Sequence, residues 1–435
     1  MSIFSNYIHI VFFIWFSVLS IVFFEPAPFD ILFVPILAMV LLHNKVRGRK
    51  LICLFQYLDK ELVLFIAVTF LGLYFADNFK VGLMYSIITL YLILTTVVVR
   101  YYLDNGGKVE IILKGYIVSA LIALVLGLLP YYTGIGEMFI YDNLRVKGPF
   151  KDPNVFGSYF VPAAIIMLEE IRNSKYLNWS SVIKILLAAL LLWGVVVPFS
   201  RGAWLNIAAA GLVYMIVIIR TLNWETFKKY ASVLAIFILI TGGSIIGTSR
   251  LDFLFSRLGL LAYDQDRFST QAESLGLGIR VKYNTEEEKL KLVHKDSAEI
   301  NRVNSNDLDD TSENIPDTNI NILLKKLIGI SAGQYEENFE RSAHSLLIRT
   351  IVENGLLGVI LLFVFIGKVF FRMIKGLLVE ASNSPIFPIP VLLAVLTGIM
   401  VNGLFIDTIH WRHMWVFFAL VTPFKVWQNV TGIKT

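Results

Sequence analysis

Long apolar runs alternate with short polar stretches along almost the whole chain, and most runs have the length of a bilayer-crossing helix. The pattern predicts spans near 7–24, 28–43, 61–77, 80–99, 110–133, 155–171, 181–199, 202–220, 230–248, 345–371, 386–406 and 411–427, about twelve in all. The second and last are short or polar at an edge. Most are apolar all round, so amphipathic periodicity says little about how they pack. The expected fold class is therefore an all-α integral membrane protein. One long break interrupts the pattern. Residues 249–343 form a large soluble segment between spans nine and ten, which divides the chain into 1–248, 249–343 and 344–435. Within that break, 249–278 keep amphipathic helical spacing. Residues 281–319, with Glu286-Glu287-Glu288 and Asp309-Asp310, hold too few apolar positions to fold alone and predict a mobile insert. No internal repeat of fixed period stands out.

Charge placement orients the spans. Lys45 to Lys50, Arg100 to Lys108, Arg172 and Lys175, Arg220 to Lys229, and Lys368 to Lys375 all follow even-numbered spans. The short odd-numbered exits carry far fewer cations, so the even exits and both termini are expected in the cytoplasm. The long segment 249–343 is then outside, which in a Gram-negative inner membrane is a periplasmic loop. Residues Met1 to Asn6 lack the basic start of a signal peptide, so the first run is expected to be a retained helix.

Composition agrees. Of 435 residues, 56% are hydrophobic and only 16% are charged, against about 25% charged in soluble domains. The net charge of +5 sits mostly in short loops and gives no ground for nucleic-acid binding. A single cysteine, Cys53, excludes a disulfide framework and a multi-cysteine metal site.

Against this background three polar islands stand out on the outer face: Phe199 to Trp204, Tyr263 to Phe268, and Ser342 to Ser345 with Ile351 to Gly355. Arg201 is the only charge in a very short loop, and its planar fork suits phosphate oxygens; an arginine snorkelling to lipid headgroups would look the same. Arg267 has Asp264 and Asp266 beside it, so a local salt bridge is the alternative. Ser342 has N-cap chemistry, which would put His344 in the first turn of span ten. There the helix dipole disfavours the imidazolium, and a neutral imidazole suits a general base; the alternative is an ordinary interfacial histidine. Glu353, nine positions on, would face away from His344 on a straight helix. The loop Arg145 to Asn154 adds Arg145, Lys147 and Lys151, which could hold a diphosphate or glycan, while Asp152 or Asn154 could instead cap the next helix. Asp407, His410 and His413, spaced by three, admit a metal reading, although Phe405 to Trp415 has the composition of an interfacial belt. No metal site is assigned.

These segments in this order, with Leu327 to Ile330, Gly333 and Glu353 to Gly358, resemble the O-antigen ligase and O-antigen polymerase family of bacterial membrane glycosyltransferases. The likeness runs from about residue 140 to 415. It implies about twelve helices, one large periplasmic loop, and transfer of a glycan from undecaprenyl diphosphate to an acceptor sugar without metal, nucleotide sugar or other cofactor. It further implies that Arg201 and Arg267 bind the diphosphate and that His344 is the catalytic histidine. The implied partners are the lipid-linked donor, a glycan or lipid A-core acceptor, membrane lipids and polysaccharide-assembly proteins. The chain departs from the family at Ser345, commonly Asn, and in the length of its insert. A transporter or flippase for lipid-linked oligosaccharide is the competing expectation; it would show charges near the bilayer midplane and interrupted helices.

Overall fold

The computed structural model describes residues 2–134, 136–142, 145–175, 178–247, 280–282, 291–293, 319–339, 343, 345–380 and 389–421. Among the described residues nine α-helices come first: α1 (Ser2–Ser17), α2 (Pro28–Val46), α3 (Lys60–Leu71), α4 (Phe79–Asp104), α5 (Val109–Thr133), α6 (Pro153–Arg172), α7 (Trp179–Val196), α8 (Arg201–Ile218) and α9 (Trp224–Gly247). Then follow α10 (Asn319–Ile328), the single turn α11 (Tyr335–Asn338), α12 (Leu346–Glu380), α13 (Ile389–Gly403) and α14 (Arg412–Leu420). A helix stands at every expected span. Among the described residues, however, eight are long and apolar enough to cross a membrane, with Tyr7–Ser17 and Ile389–Gly403 as shorter apolar helices. The chain is thus an all-α protein of membrane type. Two small antiparallel pairs, Ile140–Asp142 with Arg145–Val146 and Arg280–Lys282 with Lys291–Val293, are the strands present among the described residues.

Helix starts follow their caps. Asp152 accepts from Asn154 N–H, Asn178 from Ser181 N–H, and Ser200 from Ala203 N–H, each satisfying a donor the helix itself cannot. Helix ends depart more from expectation. The first span was expected to reach residue 24, but α1 stops at Ser17. Residues after it turn back into the bundle, where Ser20 exchanges hydrogen bonds of 2.8 and 2.9 Å with Ser119. Pro26 and Pro28 prevent the helix from resuming before α2.

The core centres on α6, whose residues Phe156 to Ile166 are buried almost without exception. Small residues let its neighbours close in, as at many membrane-helix contacts. A Cβ on Gly157 would meet Pro198 and Ala203, one on Gly202 would meet Asn402, and one on Gly398 would meet Asn206.

The two ends of the bundle differ. At the cation-rich end, Arg100 is fully buried rather than lying in a loop: it donates to Tyr57 O at 2.8 Å and Asp59 Oδ2 at 2.9 Å, and Asp59 also pairs with Arg372. Exposed Trp179 and Trp224 mark the same end, as interfacial aromatics do. The opposite end gathers the starts of α4, α6, α8 and α12 and the end of α13.

Candidate functional site

Two polar clusters occupy that opposite end, joined by the last turn of α13. The first is the α7–α8 corner. Phe199 takes φ 50°, which is rare for a bulky residue and brings Ser200 and Arg201 round sharply into α8. Ser200 Oγ donates to Asn154 Oδ1 at 2.8 Å while accepting from Ala203 N–H. Arg145 donates from Nη2 to the same Asn154 oxygen at 3.0 Å and from Nε to Pro198 O at 3.1 Å. Arg145 and Asn154 therefore lace the 145–154 loop to the corner, and Asp152 is the helix cap. Half-buried Arg201 is the first residue of α8. A cation there opposes the helix dipole, whereas an anion is favoured by it.

The second cluster surrounds Arg349, which is 5% exposed. Its Nη1 donates to Glu353 Oε1 at 2.9 Å, its Nη2 pairs with Glu336, and its Nε lies 2.9 Å from Asp407 Oδ2. Three segments thus meet on one guanidinium: the turn before α12, α12 itself and the loop after α13. Glu353 also accepts from Tyr335 N–H at 3.3 Å. Asp407 lies 3.6 Å from His410 Nδ1. Burial alone would raise the Asp407 carboxyl, but Arg349 and His410 together outweigh it and hold it below the usual carboxylate range.

The helix carrying Arg349 is broken. A continuous span was expected over 345–371, but Gly355 has φ 65° and ψ −170°, and the chain at 327–331 crosses the break. Ile330 N–H donates to Val352 O at 3.0 Å and Ser331 N–H to Glu353 O at 3.1 Å, so the crossing segment satisfies carbonyls that the break leaves open.

Below these clusters the loop 404–411 dips inward. The His410 ring stands 5.3 Å from that of Tyr85, and Arg412 forms a double contact of 2.7 and 2.6 Å with Asp30, which also accepts from Tyr91 OH at 2.6 Å. Tyr91 lies 12 residues into α4, about 18 Å of helix from its start, and its hydroxyl reaches this ion pair. His413 turns away from Asp407 and His410 and packs among Tyr116, Tyr159 and Trp411. The metal reading of the three fails on that geometry; among the described residues no His, Cys, Asp and Glu group of three or more is arranged to hold a metal.

Joining the clusters, Gly202 on α8 abuts Asn402, and neighbouring Gly403 abuts Thr408 and Leu346. Arg201 and the start of α12 therefore flank one helical turn. Of the residues singled out in the sequence, Arg201 and Arg145 meet at this corner. Lys147 is half-buried beside it, and Lys151 forms an exposed pair with Glu25. Arg267 and His344 lie outside the described residues, although the residues flanking the histidine, Ala343 and Ser345, are both buried. One expectation about the histidine is corrected: α12 begins at Leu346, with Ser345 O accepting from Arg349 N–H at 3.0 Å. A Ser342 cap would start the helix at 343, and the described helix starts three residues later; Ser342 and His344 themselves lie outside the described residues. Sequence reasoning missed Arg349, Glu336, Asp30 and Arg412. The signal for the first was present, because Arg349 and Glu353 are four apart in an apolar span.

No protein-family model and no curated protein sequence matches the chain.

Proposed function

We propose that the chain is a membrane glycosyltransferase of the O-antigen ligase or polymerase type, acting at the end of the bundle where α8 and α12 begin. The supporting observation is the shared turn of α13, which has Arg201 on one side and the segment flanking His344 on the other. In this proposal Arg201 and Arg267 bind the diphosphate of an undecaprenyl-linked glycan and offset the charge that grows as it leaves. His344 accepts the proton of the acceptor hydroxyl. The hydroxyl oxygen bonds to the anomeric carbon as the bond to the diphosphate breaks, inverting that centre and releasing undecaprenyl diphosphate. The Arg349 cluster holds the start of α12, and so the backbone beside His344, against the loop after α13. As part of the same proposal the chain lies in a bacterial inner membrane with this end periplasmic and both termini cytoplasmic, serving lipopolysaccharide or surface-polysaccharide synthesis.

The test is transfer by purified, reconstituted protein supplied with lipid-linked glycan. His344→Ala is expected to abolish product, and Arg201→Ala to lower turnover about 100- to 1,000-fold. Substantial turnover by the histidine variant would sink the assignment.

Two observations favour the second reading, a carrier of lipid-linked oligosaccharide: the interruption at Gly355 and the recessed Arg412–Asp30 pair. It predicts movement of labelled donor across vesicle membranes with no new glycosidic bond. Product formation without such movement decides for the transferase.

A further inference from the structure

The far end of α12 carries a second feature. Lys368, Phe371, Arg372 and Lys375 follow the spacing i, i+3, i+4, i+7, so they share one helix face. Together they line a surface groove of about 300 Å³. Arg372 is 17 residues beyond Gly355, which is about 26 Å of helix. That nearly matches the ~30 Å hydrocarbon thickness of a bilayer and puts the groove at headgroup depth, away from the candidate site.

Its surroundings combine surplus charge with apolar surface. Lys368 pairs with Glu61 and Arg372 with Asp59, but Asp59 is shared with Arg100. Among the described residues, three cations therefore divide two carboxylates here. Nη1 of Arg372 is buried with no hydrogen-bond partner among the described residues, a donor that is costly to leave unmet. Beside it Phe371 is 68% exposed, with Ile374 and Leu378 exposed on the same stretch. A free anion would use the charge alone. A ligand with a phosphate and acyl chains uses both.

We propose that this groove binds the phosphate of an anionic glycerophospholipid, with Lys368, Arg372 and Lys375 facing the headgroup and Phe371 against the chains. A zwitterionic lipid brings its own cation and gains less from the surplus charge. The inference is independent of glycan transfer and stands or falls separately from it.

The full-length protein, purified in uncharged detergent, is offered equal amounts of phosphatidylglycerol and phosphatidylcholine, and lipid retained is read by native mass spectrometry. Phosphatidylglycerol is expected to be retained in preference. Lys375→Gln should weaken its retention about five-fold, and Lys368→Gln with Lys375→Gln on the order of 25-fold. The single variant keeps the test open should the double variant not fold, since Lys375 is exposed and Lys368 pairs with Glu61. Arg220→Gln with Lys228→Gln, at the same end but off the groove, should leave the preference unchanged. Equal retention of the two lipids, an unchanged preference in Lys375→Gln, or the same loss in the off-groove control would overturn the proposal. Displacement of the lipid by millimolar inorganic phosphate would also overturn it, in favour of a free-anion site.

Discussion

Arg349 neutralises charge from three directions, so removing it does more than break one ion pair. Glu353, 2% exposed, and Asp407 would be left beside each other without their cation. Stranding a buried charge in this way costs about 3–5 kcal/mol. Arg349→Gln is therefore expected to lower the thermal midpoint of the purified protein sharply, whereas Arg349→Gln with Glu353→Gln should recover part of the loss because one stranded carboxylate is gone. An unchanged midpoint in the single variant would mean that the cluster is solvated and does not clamp the three segments. Half of this cluster was legible in the sequence. Arg349 and Glu353 sit at helical spacing, but Glu336 and Asp407 arrive from separate segments, and no local pattern joins them. Arg201 was legible as the only charge in a very short loop between two spans, and it stands as the first residue of α8. The ring cage around His413 was not, since spacing by three suggested a shared face with Asp407 and His410 and tertiary packing gave it another.

Helix starts were easier to read than helix continuity. Asp152, Asn178 and Ser200 announce α6, α7 and α8 by local hydrogen bonding, and the expected starts agree within a few residues. The interruption of α12 was harder to read, because Leu346–Leu378 is apolar enough to pass as one span and the Asn354-Gly355 pair is its only local sign of a break. What breaks it is the chain at 327–331, held off in sequence by the end of the outer segment. The break can be tested within one helix. Gly355 adopts a conformation that only glycine takes readily, and an added Cβ would lie 2.5 Å from backbone atoms of Leu327 and Gly329. Gly367, in the same helix, has nothing within 4 Å of an added Cβ. Gly355→Ala is thus expected to destabilise by about 1–3 kcal/mol from backbone conformation alone, with more from the clash, and to expose 327–331 to protease. Gly367→Ala should be neutral or slightly stabilising through helix propensity, by up to about 1 kcal/mol. Equal midpoints and equal cleavage for the two variants would show that α12 runs straight.

At the scale of the whole molecule, an apolar bundle is tied at each end by a buried guanidinium–carboxylate cluster. The sequence predicted the asymmetry of charge but assigned Arg100 to a loop, because a cation at the end of an apolar run looks like the first residue outside the membrane. Its partner lies at the start of α3, and only the packing of α4 against that start brings Arg100 inside. The two clusters should therefore separate stability from chemistry. Asp59 holds Arg100, which is 0% exposed, and Arg372. Burial works to raise the Asp59 carboxyl, but the two arginines outweigh it and lower it below its usual value of 3.8. A carboxyl lowered by folding adds stability that is complete above its unfolded pKa and disappears as pH falls through the folded one. The wild-type midpoint is accordingly expected to hold near neutrality and to fall below about pH 4. Asp59→Asn should lower the midpoint at pH 7 by the equivalent of about 3–5 kcal/mol, since it strands Arg100, and should flatten the acid limb. Per folded molecule its rate in the proposed glycan transfer should match the wild type, because Asp59 lies at the end away from Arg201, whereas the Arg349 variants should lose rate as well as stability. Thermal midpoints across pH, paired with turnover normalised to folded protein, measure both quantities. A loss of turnover in Asp59→Asn equal to that in Arg349→Gln would place the chemistry at neither end specifically and remove the ground for siting it where α8 and α12 begin.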